Sequence, residues 1–234
     1  YPPHLVNSRF NASECAGRFP LLLQAIKRLY VFSCMALWHI GQHLLSSQHT
    51  MSTPALIPVE QWLVPHLEVD DAGARLAFHI QDAFNYHGYD AAGGVVLGFR
   101  LLQKAIACLS PERPLQRRAL HVFTAFPGLG FRDCVELITR AVTENRFTVN
   151  TQFTQTQAQE GVQGRLHFAF SYLGKTVVLS PIHGALSADF IALGRASKQP
   201  GFTPQQQQAW RQAKFALANT LLTAHPDDVI RVLA

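Results

Sequence analysis

The chain carries one cysteine at a position typical of a reactive thiol. Cys134 follows a proline–glycine turn at residues 127–130 and falls in the first turn of a predicted helix over residues 131–143. A thiol near a helix N-terminus is biased toward the thiolate, which is the form that acts as a nucleophile or a soft metal ligand. A free cysteine is also commonly a buried core residue, so both interpretations of Cys134 stay open.

Two polar elbows contain histidines that could act with such a thiol. Residues 86–90 (Tyr-His-Gly-Tyr-Asp) place His87 and Asp90 in a short link between two apolar helical segments, and His183 precedes Gly184 in a similar elbow. Imidazole, carboxylate and aromatic groups in one short link suit a binding or catalytic site. The same composition is typical of an ordinary hydrated loop.

The turn at Gly128 and Gly130 follows a predicted strand and opens a predicted helix, as the glycine-rich turn of a dinucleotide-binding site does. A dinucleotide fingerprint would need a third glycine at the position that Asp133 occupies, so that pattern fails and we expect no nucleotide. Exposed amides at a helix N-terminus still make a weakly positive pocket. We therefore predict that Gly128 and Gly130 contribute to a ligand-binding site. HExxH, GxSxG and P-loop patterns do not occur in the sequence.

Composition and charge describe a globular protein with a core. Apolar residues make up 48% of the 234 residues and charged residues 15%. The net charge is +5, yet residues 51–234 hold 16 basic and 14 acidic side chains, so the main body is nearly balanced. Balance of this kind argues against a nucleic-acid surface. The four cysteines form no CxxC pair, which favours a reducing, cytoplasmic environment.

The first fifty residues differ from the rest. Residues 29–40 form an uncharged, largely apolar run of twelve after Lys27 and Arg28, and twelve residues are too few to span a bilayer, which needs about 20. We expect residues 1–50 to be a poorly ordered leader or a non-native extension, and residues 51–234 to form the domain. A membrane-associating N-terminal helix is the alternative, and no membrane span is expected.

The pattern of elements places these candidate residues in an α+β domain. Apolar spacing predicts helices over residues 72–85, 91–109 and 131–143, a helix from Thr203 to about residue 223 and a short helix after it. Alternating residues predict strands at 118–126, 146–154, 165–172 and 175–181. Regular βαβ alternation is missing, so a mixed or antiparallel sheet packed against helices is favoured. Glycines 93, 94 and 98 predict close approach of another element to the second helix.

Two motifs carry a resemblance to a known family. Residues 86–100 (YHGYDAAGGVVLGFR) and residues 134–139 (CVELIT) resemble the signatures of FmdE-like proteins, a family that takes its name from a component of formylmethanofuran dehydrogenase. The resemblance covers about residues 78–233. In place of the family's second histidine the chain has Tyr89, and the family's nearby cysteine is replaced within residues 90–92. His87 and Cys134 are the family's metal or catalytic groups that carry over.

The resemblance implies a function and a site. It suggests a metal- or small-ligand-binding protein, with an unassigned enzymatic activity centred on His87 and Cys134 as one form of it. The two residues are predicted to converge, with Asp90 and His183 completing a set of ligands for zinc or another transition metal. A metal-free cysteine enzyme would need His87 within reach of the Cys134 sulfur. The alternative is a non-catalytic binding or interaction subunit. A homodimer is expected in either case.

Overall fold

The most buried helix of the domain is α2 (Ala92–Leu109), which packs mainly against two other helices and a five-stranded sheet. The computed structural model describes residues 54–64 and 66–233. The predictions made for residues 1–50 lie outside the described residues and stay predictions. Helix α2 has the bounds expected from its apolar spacing, within one residue at its start, and that prediction is confirmed.

The other helices of the described residues surround α2 and the sheets. They are α1 (Ile80–His87), α3 (Leu129–Thr139), α4 (Ala188–Ala196), α5 (Pro204–Thr223) and α6 (Pro226–Val229). Helix α5 begins with the predicted capping box, in which Thr203 and Gln206 exchange side-chain and backbone hydrogen bonds. Helices α3 and α5 lie directly against α2, so the start of α2 is enclosed by the chain's own helices.

Eight strands of the described residues form two sheets. The strands are β1 (Leu67–Asp71), β2 (Ala74–Phe78), β3 (Leu115–Gln116), β4 (His121–Thr124), β5 (Phe147–Val149), β6 (Phe168–Tyr172), β7 (Lys175–Pro181) and β8 (Ile230–Val232). One sheet has the order β2-β1-β3 and the other β5-β4-β6-β7-β8, and each contains parallel and antiparallel pairs. The predicted α+β class, with mixed sheets packed against helices, is confirmed.

The helix predicted over residues 72–85 is wrong in its first half. A hairpin of β1 and β2 occupies that region, and the helix starts only at Ile80. The predicted stripe placed Leu76, Ile80 and Phe84 four residues apart, and an even spacing also fits a strand, so periodicity could not separate the two. The two-residue turn decides it, because Ala72 and Gly73 have φ values of 56° and 87°, which suits a hairpin whose two turn residues are left-handed.

The glycines of α2 allow close approach of α3 and α5. A Cβ atom built at Gly98 would lie 3.0 Å from the Phe131 Cα, and one at Gly93 would lie 2.9 Å from a Leu217 methyl carbon. On the facing helix, a Cβ at Gly130 would lie 2.7 Å from the Val95 backbone nitrogen. The predicted close approach is therefore made within the chain. This face of α2 is not free to pair with a second protomer.

Arg100 ties α2 to the end of α5. Its side chain is fully buried, and its guanidinium donates hydrogen bonds to the backbone oxygens of Leu221, Leu222, Ala224 and Leu63. Burial lowers the pKa of Arg100 to about 10, so the group remains cationic at neutral pH. A cation at a helix C-terminus is favourable because the last carbonyl groups lack partners within the helix.

Helix α2 is also long and apolar enough to meet the criterion for a membrane span, and it is the only such helix among the described residues. Two thirds of it, 67%, is buried inside the domain. Its apolar character is thus accounted for by the core that it forms with α3, α5 and the larger sheet.

Candidate functional site

His87 lies at the end of α1 and contacts α3 through a carboxylate. Its Nδ1 atom is 2.7 Å from Oδ2 of Asp133, and its side chain is only 12% exposed. The hydrogen bond fixes the orientation of the imidazole ring. His87 therefore reaches the helix that carries Cys134, but its hydrogen-bond partner is the residue before the cysteine.

Cys134 is a core residue. The helix begins at Leu129, two residues earlier than predicted, so Cys134 lies in its second turn and is buried against Gly98 of α2. Burial raises the pKa of the Cys134 thiol, and the charge of Asp133 raises it further. Of the two interpretations left open for Cys134, the structure supports the core residue, because removal from water disfavours the thiolate.

The two free cysteines among the described residues should differ in reactivity. We expect iodoacetamide at neutral pH to alkylate exposed Cys108 while Cys134 stays unmodified until the protein is denatured. Peptide mass spectrometry, with and without urea, measures both sites in one sample. Substitution Cys134→Ser should cost about 1 kcal/mol of unfolding free energy, as a small change in the core does. Rapid labelling of Cys134 in the native protein would contradict the assignment.

The four predicted metal ligands do not form a cluster. Within residues 54–64 and 66–233, no group of three or more His, Cys, Asp and Glu side chains is placed to hold a metal ion. His183 lines a cavity of about 370 Å³ together with Gln159 and Arg195. Asp90 lines a different cavity, described next.

A cavity of about 480 Å³ lies where α2 and α3 begin. Its lining includes four polar side chains, those of Asp90, Gln163, Lys198 and Lys214, and its apolar walls include three aromatic rings: Phe126, Phe190 and Trp210. The predicted Gly128 and Gly130 also line it. The volume falls in the range of small-molecule sites, which combine mostly apolar walls with a few placed polar groups. We name this space the α2–α3 cavity.

The elbow between α1 and α2 holds Asp90 at the edge of this cavity. Gly88 ends α1 with a φ of 87°, a backbone conformation that residues other than glycine rarely adopt. The next ring, Tyr89, stacks on Phe84 at 5.0 Å between centroids and accepts a hydrogen bond from Gln81. These contacts fix the chain before and after the turn, so the Asp90 carboxylate faces α5.

Helix α5 supplies part of the cavity wall through residues on one of its faces. Trp210 and Lys214 are four positions apart and therefore lie side by side on the helix. The Lys214 ammonium is 5.8 Å from the centre of the Trp210 ring and 2.9 Å from Oδ1 of Asp90. Phe190 of α4 packs on Trp210 at 4.8 Å between ring centroids. The Lys214 ammonium and the rings of Trp210 and Phe190 therefore lie next to each other in the lining of one cavity.

The electrostatics of the cavity favour negative charge. The hydrogen bond from Lys214 holds the pKa of the Asp90 carboxyl below its usual range, and the charges of Lys214 and Arg211 act in the same direction. Neither α2 nor α3 has a side-chain cap or an acidic residue in its first turn. Because no side chain caps them, these two helix N-termini add a partial positive charge near the cavity.

Part of the lining of this cavity was predictable from the sequence, and part was not. Asp90, Gly128 and Gly130 were singled out, whereas Trp210, Lys214 and Phe190 were not. A signal was present in the residues of α5: an aromatic residue and a lysine four positions apart lie on one face of a predicted helix, in a stretch otherwise rich in glutamine. Only the fold shows that this face meets the start of α2.

No protein-family model matches the chain, and the search of curated proteins finds no match.

Proposed function

We propose that the chain is an FmdE-like protein that binds a small, ring-bearing organic molecule in the α2–α3 cavity. The observation that carries this proposal is the wall of Trp210 and Phe190 beside the Lys214 ammonium, in a space of about 480 Å³. Aromatic rings stack on flat ligands, and such contacts are worth about 0.5–1.5 kcal/mol beyond the area that they bury. Of the two functions that the resemblance implies, this proposal develops small-ligand binding.

Binding without catalysis is the form of this function that we favour. The lining of the α2–α3 cavity has no serine, cysteine or histidine, and two of its three ionisable groups, Asp90 and Lys214, are paired with each other. The buried, protonated thiol of Cys134 also weighs against an activity centred on that residue. The chain would then serve as the non-catalytic binding subunit considered as the alternative.

A neutral fluorescent ring compound tests the proposal directly. N-phenylnaphthylamine carries no charge and brightens when it enters an apolar site. We expect it to bind the full chain at one molecule per protein. Substitution Trp210→Ala should weaken binding about tenfold, which corresponds to roughly 1.4 kcal/mol. Fluorescence titration of the two proteins gives both dissociation constants.

Tyr86→Ala is the matched control for the loss of an aromatic ring. Tyr86 is an exposed aromatic residue in the same elbow as Asp90, and it does not line the cavity. Its substitution should leave the dissociation constant of the dye within twofold. Equal weakening by both substitutions, or absence of one-to-one binding to the unsubstituted chain, would refute the proposed site.

A second candidate function is metal binding through His87. The observation that favours it is the 2.7 Å contact to Asp133, because metal-binding histidines commonly donate their other ring nitrogen to a carboxylate. Metal analysis of the purified protein and of a His87→Ala variant tests this candidate. Zinc in the first sample and its loss in the second would support it, while equal metal contents would reject it.

The homodimer implied by the resemblance also stays a proposal. The glycine face of α2 cannot form its interface, since α3 and α5 of the same chain cover that face. Light scattering at micromolar concentration measures the mass. A mass twice that of the chain would support the dimer, and the mass of a single chain would reject it.

A further inference from the structure

The charges of the α2–α3 cavity identify the chemical class of its ligand, provided that the proposed function holds. Lys214 and Asp90 form an ion pair of unequal exposure: the lysine side chain is 13% exposed and the aspartate side chain 92% exposed. The cation belongs to the cavity wall, whereas its counter-ion stands in solvent. An exposed carboxylate adds little to such a pair, about 0–1 kcal/mol, so another anion can replace it at small cost.

The helix ends around Lys214 strengthen this preference. Backbone amides in the first turns of α4, α5 and α6 donate hydrogen bonds to the side chains of Ser187, Thr203 and His225. At the start of α1, the Asp82 carboxylate accepts a hydrogen bond from the His79 backbone amide. Helices α2 and α3 have no such side-chain cap, and their first turns line the cavity. Two uncapped N-termini and the Lys214 ammonium therefore act on the same space.

The distance between ring and cation sets the shape of the ligand. Lys214 Nζ lies over the Trp210 ring, 5.8 Å from its centre, so a planar molecule in contact with this ring is within reach of the ammonium. A planar molecule stacked on Trp210 would place an acidic substituent on its edge against the ammonium.

We propose that the ligand is an organic anion with a planar ring, and that its acidic group replaces the Asp90 carboxylate on Lys214. Asp90 then acts as an internal competitor that occupies the cation until the ligand arrives. A carboxylate, sulfonate or phosphate group shares the required chemistry, since each accepts charge-assisted hydrogen bonds from an ammonium.

Two dyes with the same rings and different charges test the class of ligand. Anilinonaphthalene sulfonate is an anion, and N-phenylnaphthylamine is its neutral counterpart. We expect the full chain to bind the anion more tightly. Lys214→Met should weaken the anion about tenfold, as loss of a hydrogen bond to a charged group does, and change the neutral dye less than twofold. Added salt should weaken binding of the anion alone.

Asp90→Asn is the second variant, and it tests the competition. The side chain is almost fully exposed, so the substitution leaves the fold intact. We expect it to tighten binding of the anionic dye by a factor of about two to five, in line with an exposed ion pair, and to leave the neutral dye unchanged. Asp228→Asn, in the first turn of α6 and away from the cavity lining, is the control and should change neither affinity.

The outcomes separate this inference from the proposed function. Equal affinity of the unsubstituted chain for both dyes, with no effect of Asp90→Asn, would refute the inference that the ligand is an anion. The proposed ring-binding function of the cavity would still hold. Binding of neither dye would overturn both. Displacement of the bound sulfonate by naphthoate or by naphthyl phosphate, with neutral naphthalene methanol ineffective, would support the anion and rank its acidic group.

Discussion

Replacing Arg100 with leucine is expected to lower the unfolding free energy by about 3–5 kcal/mol. The guanidinium supplies partners for four backbone oxygens, those of Leu63, Leu221, Leu222 and Ala224. A leucine side chain fills part of the space but donates nothing, and a buried acceptor left without a partner costs about 1–3 kcal/mol. Urea denaturation followed by circular dichroism measures the change.

Arg75→Leu is the control for the loss of an arginine. Arg75 is 65% exposed and pairs with Glu68 across 3.4 Å at the surface, so its replacement should change stability by about 0.5 kcal/mol or less. The loss of stability in Arg100→Lys should lie between those of the two leucine variants, because a single ammonium cannot contact all the acceptors that the planar guanidinium reaches. Equal stability of the two leucine variants would show that the contacts at Arg100 contribute little.

Gly130→Ala is expected to lower the unfolding free energy by about 1–3 kcal/mol. The new methyl group would lie 2.7 Å from the Val95 nitrogen and 2.9 Å from the Gly94 carbonyl carbon. Both are backbone atoms, so no side-chain rotation relieves the contact and helices α2 and α3 must move apart. Alanine has the higher intrinsic helix propensity by up to about 1 kcal/mol, which only partly offsets this loss.

The substitution Gly94→Ala, on the facing helix α2, is not expected to lower stability. The nearest atom to its added methyl group is the Gly130 Cα at 3.7 Å, an ordinary contact. With no clash, helix propensity decides, and stability should stay constant or rise by up to about 1 kcal/mol. Thermal unfolding of both variants measures the contrast. Loss of stability at Gly94 as large as at Gly130 would mean that backbone spacing does not limit this crossing.

Elements specified by local signals were predictable from the sequence. The capping box at Thr203 and Gln206 identified the start of α5, and the strand at residues 175–181 was predicted with its observed bounds. The hairpin before α1 was missed because the spacing of Leu76 and Ile80 suits a strand as well as a helix. A left-handed alanine at position 72 gave no sequence signal at all.

The candidate site was less predictable, since its parts come from distant segments. Asp90 and Lys214 are 124 positions apart and meet only because α5 packs on the start of α2. For Cys134 the predicted helix start was two residues late, and the packing of the residue against Gly98 of α2, which buries the thiol, had no local signal. Local sequence patterns indicate which chemistry a cysteine allows at this position, whereas the burial of Cys134 makes it a core residue.

The link between Arg100 and the end of α5 has a consequence for the synthesis of the protein. Arg100 and its acceptor Leu221 are 121 positions apart, and a ribosome adds about 5–20 residues per second, so the interval between them is on the order of ten seconds. During that interval the apolar surface of α2 lacks the helix that covers it. The newly made chain thus passes through a stage in which this surface is open to chaperones and to aggregation, and the stage ends only when the ribosome releases α5.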